Sequence, residues 1–235
     1  MTGSPASPAY GESQHYDARY FAWQTEAASL KAGIKASRFA PFIEPTDTVL
    51  DFGSAGGDML DKIDAKRKIG VEINDVARTS SEQNFGLETF RDLASVPDGI
   101  ADVIVTSHTL EHLANPHAAL VELRPKLRPG GRLVVVVPID DWRTRVQRQW
   151  DPEDINRHLY TWSPLLFGNL LDEAGYNPGH MEIVHRSYFN RADRFAWLPK
   201  RVFGALLWLA SRVRHRQELL AVATVTSTDA SSPSA

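Results

Sequence analysis

The stretch that most constrains this chain is Val49-Leu50-Asp51-Phe52-Gly53-Ser54-Ala55-Gly56-Gly57-Asp58. It reads as a buried strand that enters a glycine-rich turn and then a helix. Glycine lets the backbone turn sharply and lets a ligand approach it closely. Amides at a helix start face a carboxylate or a phosphate. Asp51 narrows the choice, because a carboxylate at the strand's end repels a pyrophosphate and attracts an ammonium group. Nineteen positions after Gly53, Glu72 falls in a second apolar run, Lys68 to Ile73. An acid at the tip of the second strand, about 20 residues on, is a device for holding two ribose hydroxyls. Taken alone, the glycines also read as an ordinary tight turn.

Together these residues resemble the class I S-adenosylmethionine-dependent methyltransferases, of the type 11/23 kind. That family carries an acid-x-Gly-x-Gly-x-Gly turn, matched here by Asp51, Gly53 and Gly57. Ala55 replaces the middle glycine, which costs little provided φ stays negative there. The strict dinucleotide fingerprint Gly-x-Gly-x-x-Gly is not met. The resemblance implies S-adenosylmethionine as cofactor. Asp51 then holds its amino group, directly or through water, the amides near Gly56 and Gly57 face its carboxylate, and Glu72 takes its ribose. It gives the adenine amino group to Asp92, a ring nitrogen to the backbone of Leu93, and a place beside cofactor and acceptor to His108. It also implies an α/β fold: a Rossmann-like, doubly wound seven-stranded sheet with a terminal antiparallel hairpin and helices on both faces.

The length of 235 residues suits one such domain with a sizeable core. Residues 1–14 and 228–235 read as disordered tails, and residues 15–227 as one domain with a helical insertion at 189–216. The net charge of −3 gives no bulk attraction for nucleic acid. The absence of cysteine rules out disulfides and thiolate metal sites. With no secretory leader in view, the reading is a cytoplasmic protein.

Apolar spacing predicts a helix over Asp17 to Phe42, which reads as a helix packed on the domain's flank. The resemblance implies an alternative, a lid over the cofactor, with Tyr20 and Gln24 as candidates for contacts near its methionyl group. Further helices are expected over Asp58 to Lys66, from a cap at Asn74 to about Asn84, after the Asn115-Pro116 pair, and over Thr161 to Gly175 with Ser163 as cap. Pro125 should end the third of these early. Strands are expected over Leu87 to Arg91, Ala101 to Ser107, Arg132 to Val137, Gly179 to Ser187 and Glu218 to Ser227. The block Leu127 to Leu133 is a second resemblance to methyltransferases.

Three histidines are candidates for a base, since imidazole titrates near working pH. They are His108, His112 and His158, with His158 favoured and His112 beside it, because His158 precedes a capped helix where the acceptor cleft belongs. A base is needed only if the acceptor must lose a proton, as a hydroxyl does. The spacing His108-x-x-Glu111-His112 also spells an inverted zincin motif, which needs a continuous helix. A strand ending near Ser107 speaks against it. The methyltransferase resemblance leaves a second metal reading, since some methyltransferases bind a divalent metal near this position, but no metal is expected.

Between the last two strands, Val202 to Ala210 is strongly apolar, flanked by Arg194, Lys200, Arg201, Arg212, Arg214 and Arg216. Nine apolar residues fall short of the roughly 20 that span a bilayer. The segment reads either as a helix packed on the sheet or a second subunit, or as an interfacial helix touching membrane. The segment around His158 also resembles a methyltransferase subgroup tied to polysaccharide or glycolipid biosynthesis. The resemblance therefore implies methyl transfer to a hydroxyl or amine of a small-molecule, sugar or glycolipid acceptor. The alternatives are a nicotinamide-dependent oxidoreductase, which wants glycine at 55 and no acid at 51, and a non-catalytic nucleotide-binding scaffold.

Overall fold

The computed structural model describes residues 28–139, 149–151, 154, 157–185, 195, 197–213 and 217–225. Both expected tails, the first turns of the N-terminal helix with Tyr20 and Gln24, and part of the 189–216 insertion lie outside these residues.

Seven strands form one sheet in the order β3-β2-β1-β4-β5-β7-β6. These are β1 (Thr48–Phe52), β2 (Arg67–Val71), β3 (Glu88–Phe90), β4 (Ala101–Ser107), β5 (Leu127–Pro138), β6 (Tyr176–His185) and β7 (Gln217–Val225). The first five run parallel, while β7 lies antiparallel between β5 and β6. This is the doubly wound sheet with a terminal antiparallel hairpin that the sequence predicts. The order reverses at β1, whose neighbours are β2 and β4, and ligands in such sheets bind beyond the carboxyl ends of strands at that reversal.

Alternation along each strand divides the core in two. Leu50, Phe52 and Ile104 pack on one face with Leu120, Leu123, Phe167 and Leu171, from helices Pro116–Leu123 and Pro164–Glu173. Val49, Val103, Val105, Val134 and Val136 pack on the other with Ala36 and Phe39 of helix α1 (Ala28–Phe39). Strand side chains alternate, so Asp51 shares the α1 face with Val49.

The capping predictions hold at three helices. Asn74 accepts from the amides of Val76 and Ala77, Asn115 from Ala118, and Ser163 from Leu166. Leu123 is the last α-helical residue before a 3-10 turn at Arg124–Lys126, as Pro125 demands. Several boundaries differ. The helix after the glycine turn, α2, runs only from Asp58 to Asp61 instead of reaching Lys66, because its last amides close back by three residues, Ile63 onto Leu60. β2 stops at Val71, which puts Glu72 just beyond the strand. In the insertion, residues Lys200–Val213 are helical, and Val202, Trp208 and Leu209 remain more than half or about half exposed. Packing on the sheet therefore does not account for that apolar surface.

Candidate active site

The first corner of the site is the turn after β1. The amides of Gly53 and Ser54 both donate to Val71 O, at 2.8 and 3.2 Å, which ties the turn to the end of β2. Gly53 has φ +82, and a Cβ there would meet Thr109 Oγ1 at 2.3 Å. Gly57 also has φ +82, and a Cβ would meet Ser81 Oγ at 2.3 Å. Both glycines are thus needed for conformation and for close approach at once. The Gly57 amide donates to Ser54 O at 3.0 Å, so it closes the turn.

Ala55 departs from expectation. Its φ is +47, in the left-handed region where an L-residue loses roughly 1–2 kcal/mol. The expected negative φ is therefore corrected. The reason lies in Glu72, whose Oε2 accepts from the Ala55 amide at 2.9 Å and holds the turn in this conformation. Glu72 Oε1 accepts from the Asn74 amide, also at 2.9 Å. Burial raises the Glu72 carboxyl, opposed by these amides. Each carboxylate oxygen retains a lone pair, so Glu72 is oriented without being exhausted.

Asp51 lies behind the turn at 1% exposure, and neither carboxylate oxygen has a hydrogen-bond partner among the described residues. Burial pushes its carboxyl up to about 7, with Lys35 of α1 drawing it down and Glu72 adding to the rise. A buried carboxylate left unpartnered costs free energy until a donor reaches it. An ammonium group is the donor that this environment fits, and that is what the amino acid end of S-adenosylmethionine carries. Sequence reasoning did not single out Lys35, since a lysine on an amphipathic helix gives no signal of what its charge faces.

Across the third strand's tip, Asp92 Oδ1 accepts from Ser95 N and Ser95 Oγ, at 2.9 and 2.8 Å. It caps a 3-10 turn, Leu93–Ser95, whose Leu93 side chain is buried in the core. Asp92 and Glu72 are brought to one edge, since Glu72 N donates to Phe90 O at 3.0 Å.

The second corner follows β4. His108 has φ +57 and leaves the sheet into a 3-10 turn, Leu110–His112. This breaks the continuous helix that an inverted zincin requires. The His108 ring spans two buried acids: Nδ1 lies 3.0 Å from Glu111 Oε1, and Nε2 lies 2.8 Å from Glu218 Oε1. Glu218 also pairs with Arg38 of α1. Burial pulls the His108 pKa down, but the two carboxylates pull harder and raise it. Burial likewise raises Glu111, yet His108 outweighs it and holds that carboxyl below its ordinary range. With both ring nitrogens committed, the side chain of His108 braces the site and offers no ring atom to a cofactor. Sequence reasoning missed Arg38 and Glu218. The one signal was an acid opening an otherwise apolar final strand.

His112 and His158 meet beside this network. Leu159 N and Tyr160 N both donate to the Glu111 carbonyl, at 2.8 and 3.3 Å, and Tyr160 Oη donates to Ala114 O at 3.1 Å. These bonds lay the His158 segment along the 109–114 turn. The two imidazoles pack edge to face, with ring centroids 4.8 Å apart. One ligand-type atom from each of Glu111, His112 and His158 falls within 4.8 Å of the others.

Ala55, His108 and Arg157 are the non-glycine residues with positive φ among those described. All three adjoin the two corners just built, and strain of this kind gathers at functional sites.

The comparisons agree with this fold. The chain is 18% identical to a chain in a complex containing the Haloferax volcanii Trm112 methyltransferase activator, with a TM-score of 0.62 over 88% of this chain and 97% of that one. It is 19% identical to a SAM-dependent methyltransferase of Archaeoglobus fulgidus, with a TM-score of 0.60 over 87% and 98%. It is 16% identical to the Burkholderia thailandensis 1,6-didemethyltoxoflavin-N1-methyltransferase solved with S-adenosylhomocysteine, with a TM-score of 0.56 over 88% and 81%. At these identities the likeness is one of fold. Among curated proteins, 110 residues are 36% identical to an uncharacterized 37.1 kDa protein in transposon TN4556 of Streptomyces fradiae, and the match spans 42% of this chain and 31% of that relative. The family model described as "Methyltransferase domain" matches residues 22–180, and the chain belongs to that family.

Proposed function

We propose that this chain is an S-adenosylmethionine-dependent methyltransferase that acts on a hydroxyl or amine of a small-molecule, sugar or glycolipid acceptor. The observation that carries the reading is the buried, unpartnered carboxylate of Asp51 beneath a turn braced by Glu72. When bound, the cofactor supplies an electrophilic methyl on a sulfonium. Asp51 anchors the amino group, Glu72 the ribose, and Asp92 with the Leu93 backbone the adenine. The turn around Gly53 and Gly57 lets the backbone come close to the carboxylate end. Positioning of this kind is worth as much as roughly 7–11 kcal/mol of a barrier. His158, with His112 edge-on beside it, removes the proton from an acceptor hydroxyl. The test is calorimetric titration with S-adenosylhomocysteine and with a nicotinamide dinucleotide, followed by labelled-methyl incorporation into cell extracts. Binding of the first alone supports the reading, and binding of neither removes it.

The basic insertion favours an acceptor at a membrane surface. Residues 194–217 hold six Lys and Arg and no acid, in a chain of net charge −3. Trp197 and Trp208, at 78% and 53% exposure, lie in the same segment. Among the described residues no helix is long and apolar enough to cross a membrane. An interfacial helix of this composition binds anionic lipid peripherally. Co-sedimentation with anionic vesicles should fall when residues 189–216 are deleted, and unchanged binding would end the idea. The cysteine-free composition suits a reducing, cytoplasmic setting.

A further inference from the structure

We propose that Glu111, His112 and His158 hold a divalent transition-metal ion at the acceptor side of the site. Two imidazoles and one carboxylate are the donor set of Zn²⁺, Mn²⁺ and Co²⁺ sites, whereas Mg²⁺ and Ca²⁺ prefer oxygen alone.

Three observations support it. The candidate ligand atoms lie within 4.8 Å of one another. Donors around a tetrahedral ion stand about 3.3 Å apart, so closure needs movement of order 1 Å. Residues 157–160 have no regular secondary structure, so side-chain rotation of His112 and His158 is the adjustment required. Next, Glu111 is fully buried, and its Oε2 has no hydrogen-bond partner among the described residues although two imidazoles stand beside it. A buried anionic oxygen in that position calls for a cation. Finally, Glu111 Oε1 is already held by His108 at 3.0 Å, and His108 is held in turn by Glu218. Outer hydrogen bonds of this kind fix a ligating carboxylate and leave its second oxygen to the metal. His108 at φ +57 and Arg157 at φ +42 flank the group on both chain segments, so backbone strain is concentrated around it.

The inference rests on the methyl-transfer reading only for what the ion does. A hydroxyl bound to such an ion loses its proton near neutral pH, as bound water does. With the ion bound, His112 and His158 serve as ligands and His158 no longer acts as the base of the metal-free reading, so the proton passes to solvent. The oxygen–carbon bond forms as the sulfur–carbon bond breaks, and that bond's electron pair stays on sulfur.

The test uses the full-length protein and metal alone. Titration with Co²⁺, followed by its visible absorption, should show one ion per chain in a low-symmetry site. His158→Ala should weaken binding at least about 10-fold, as should His112→Gln, with circular dichroism confirming that each variant folds. Failure of Co²⁺, Mn²⁺ and Zn²⁺ to bind stoichiometrically overturns the proposal, and so does equal affinity in wild type and both folded variants. Calorimetry with S-adenosylhomocysteine on the same preparations keeps the two readings apart. Nucleoside binding without metal binding removes the ion and leaves the methyltransferase. Metal binding without nucleoside binding does the reverse.

Discussion

Asp51, near the carboxyl end of β1, and Glu218, paired with Pro138 at the carboxyl end of β5, are both shut off from water, at 1% and 2% exposure. Glu218 is met by the His108 ring and by the Arg38 guanidinium. Asp51 is met by no hydrogen-bond donor among the described residues. One acid is a finished piece of structure, and the other is a half-built contact. The difference shows why burial alone does not mark a binding residue. The mark is burial together with a missing partner, in a place where a ligand can supply it.

Substitutions on the two sides should therefore change stability in opposite directions. His108→Ala has the largest expected effect. It strips a partner from both Glu111 and Glu218, and breaking a buried ion pair costs about 3–5 kcal/mol. Chemical denaturation should show that loss, and a loss under 1 kcal/mol would break the contrast. Asp51→Asn should do the reverse and stabilise the ligand-free protein at pH 8, by up to about 4 kcal/mol less the cost of burying an unpartnered amide. The sign follows from linkage. The folded carboxyl holds its proton up to about 7, whereas the unfolded one releases it near its model value of 3.8. Over that window the unfolded chain binds fewer protons, so stability falls as pH rises. The gain from Asp51→Asn should accordingly shrink as pH is lowered from 7 toward 4, which thermal melts across that range would reveal. The smallest effect belongs to Ala55→Gly. Relief of a left-handed alanine should raise stability by about 1 kcal/mol, less the extra chain entropy of glycine. A lowered melting temperature would show that the methyl group does something that the φ value does not reveal.

Much of the first corner was legible because its parts are local. Asp51, Gly53 and Gly57 sit within seven residues, and the turn they make follows from glycine and from the apolar run before it. The caps at Asn74, Asn115 and Ser163 were readable for the same reason, since each acts on amides two or three residues away. The second corner was not. His108 and Glu218 are 110 positions apart, and they meet only because β7 inserts between β5 and β6 and brings Glu218 level with Pro138. No spacing rule carries that information. Ala55 failed for a subtler reason: its φ is set by a hydrogen bond to Glu72, 17 residues on, and not by its own preference. The strand that ends near Ser107 argues against the inverted zincin spacing, and residues 110–112 do form a 3-10 turn and not part of a continuous helix. What the spacing did not show is that Glu111 and His112 gather with His158.

The most direct test is the pH dependence of S-adenosylhomocysteine binding to wild type and Asp51→Asn, measured by calorimetry. An ammonium group needs Asp51 ionised, so wild-type affinity should climb by up to roughly tenfold per pH unit below about 7 and level off above it. The variant should bind more weakly and without that climb. Superimposable profiles for the two proteins, or no binding at millimolar nucleoside, would contradict the account.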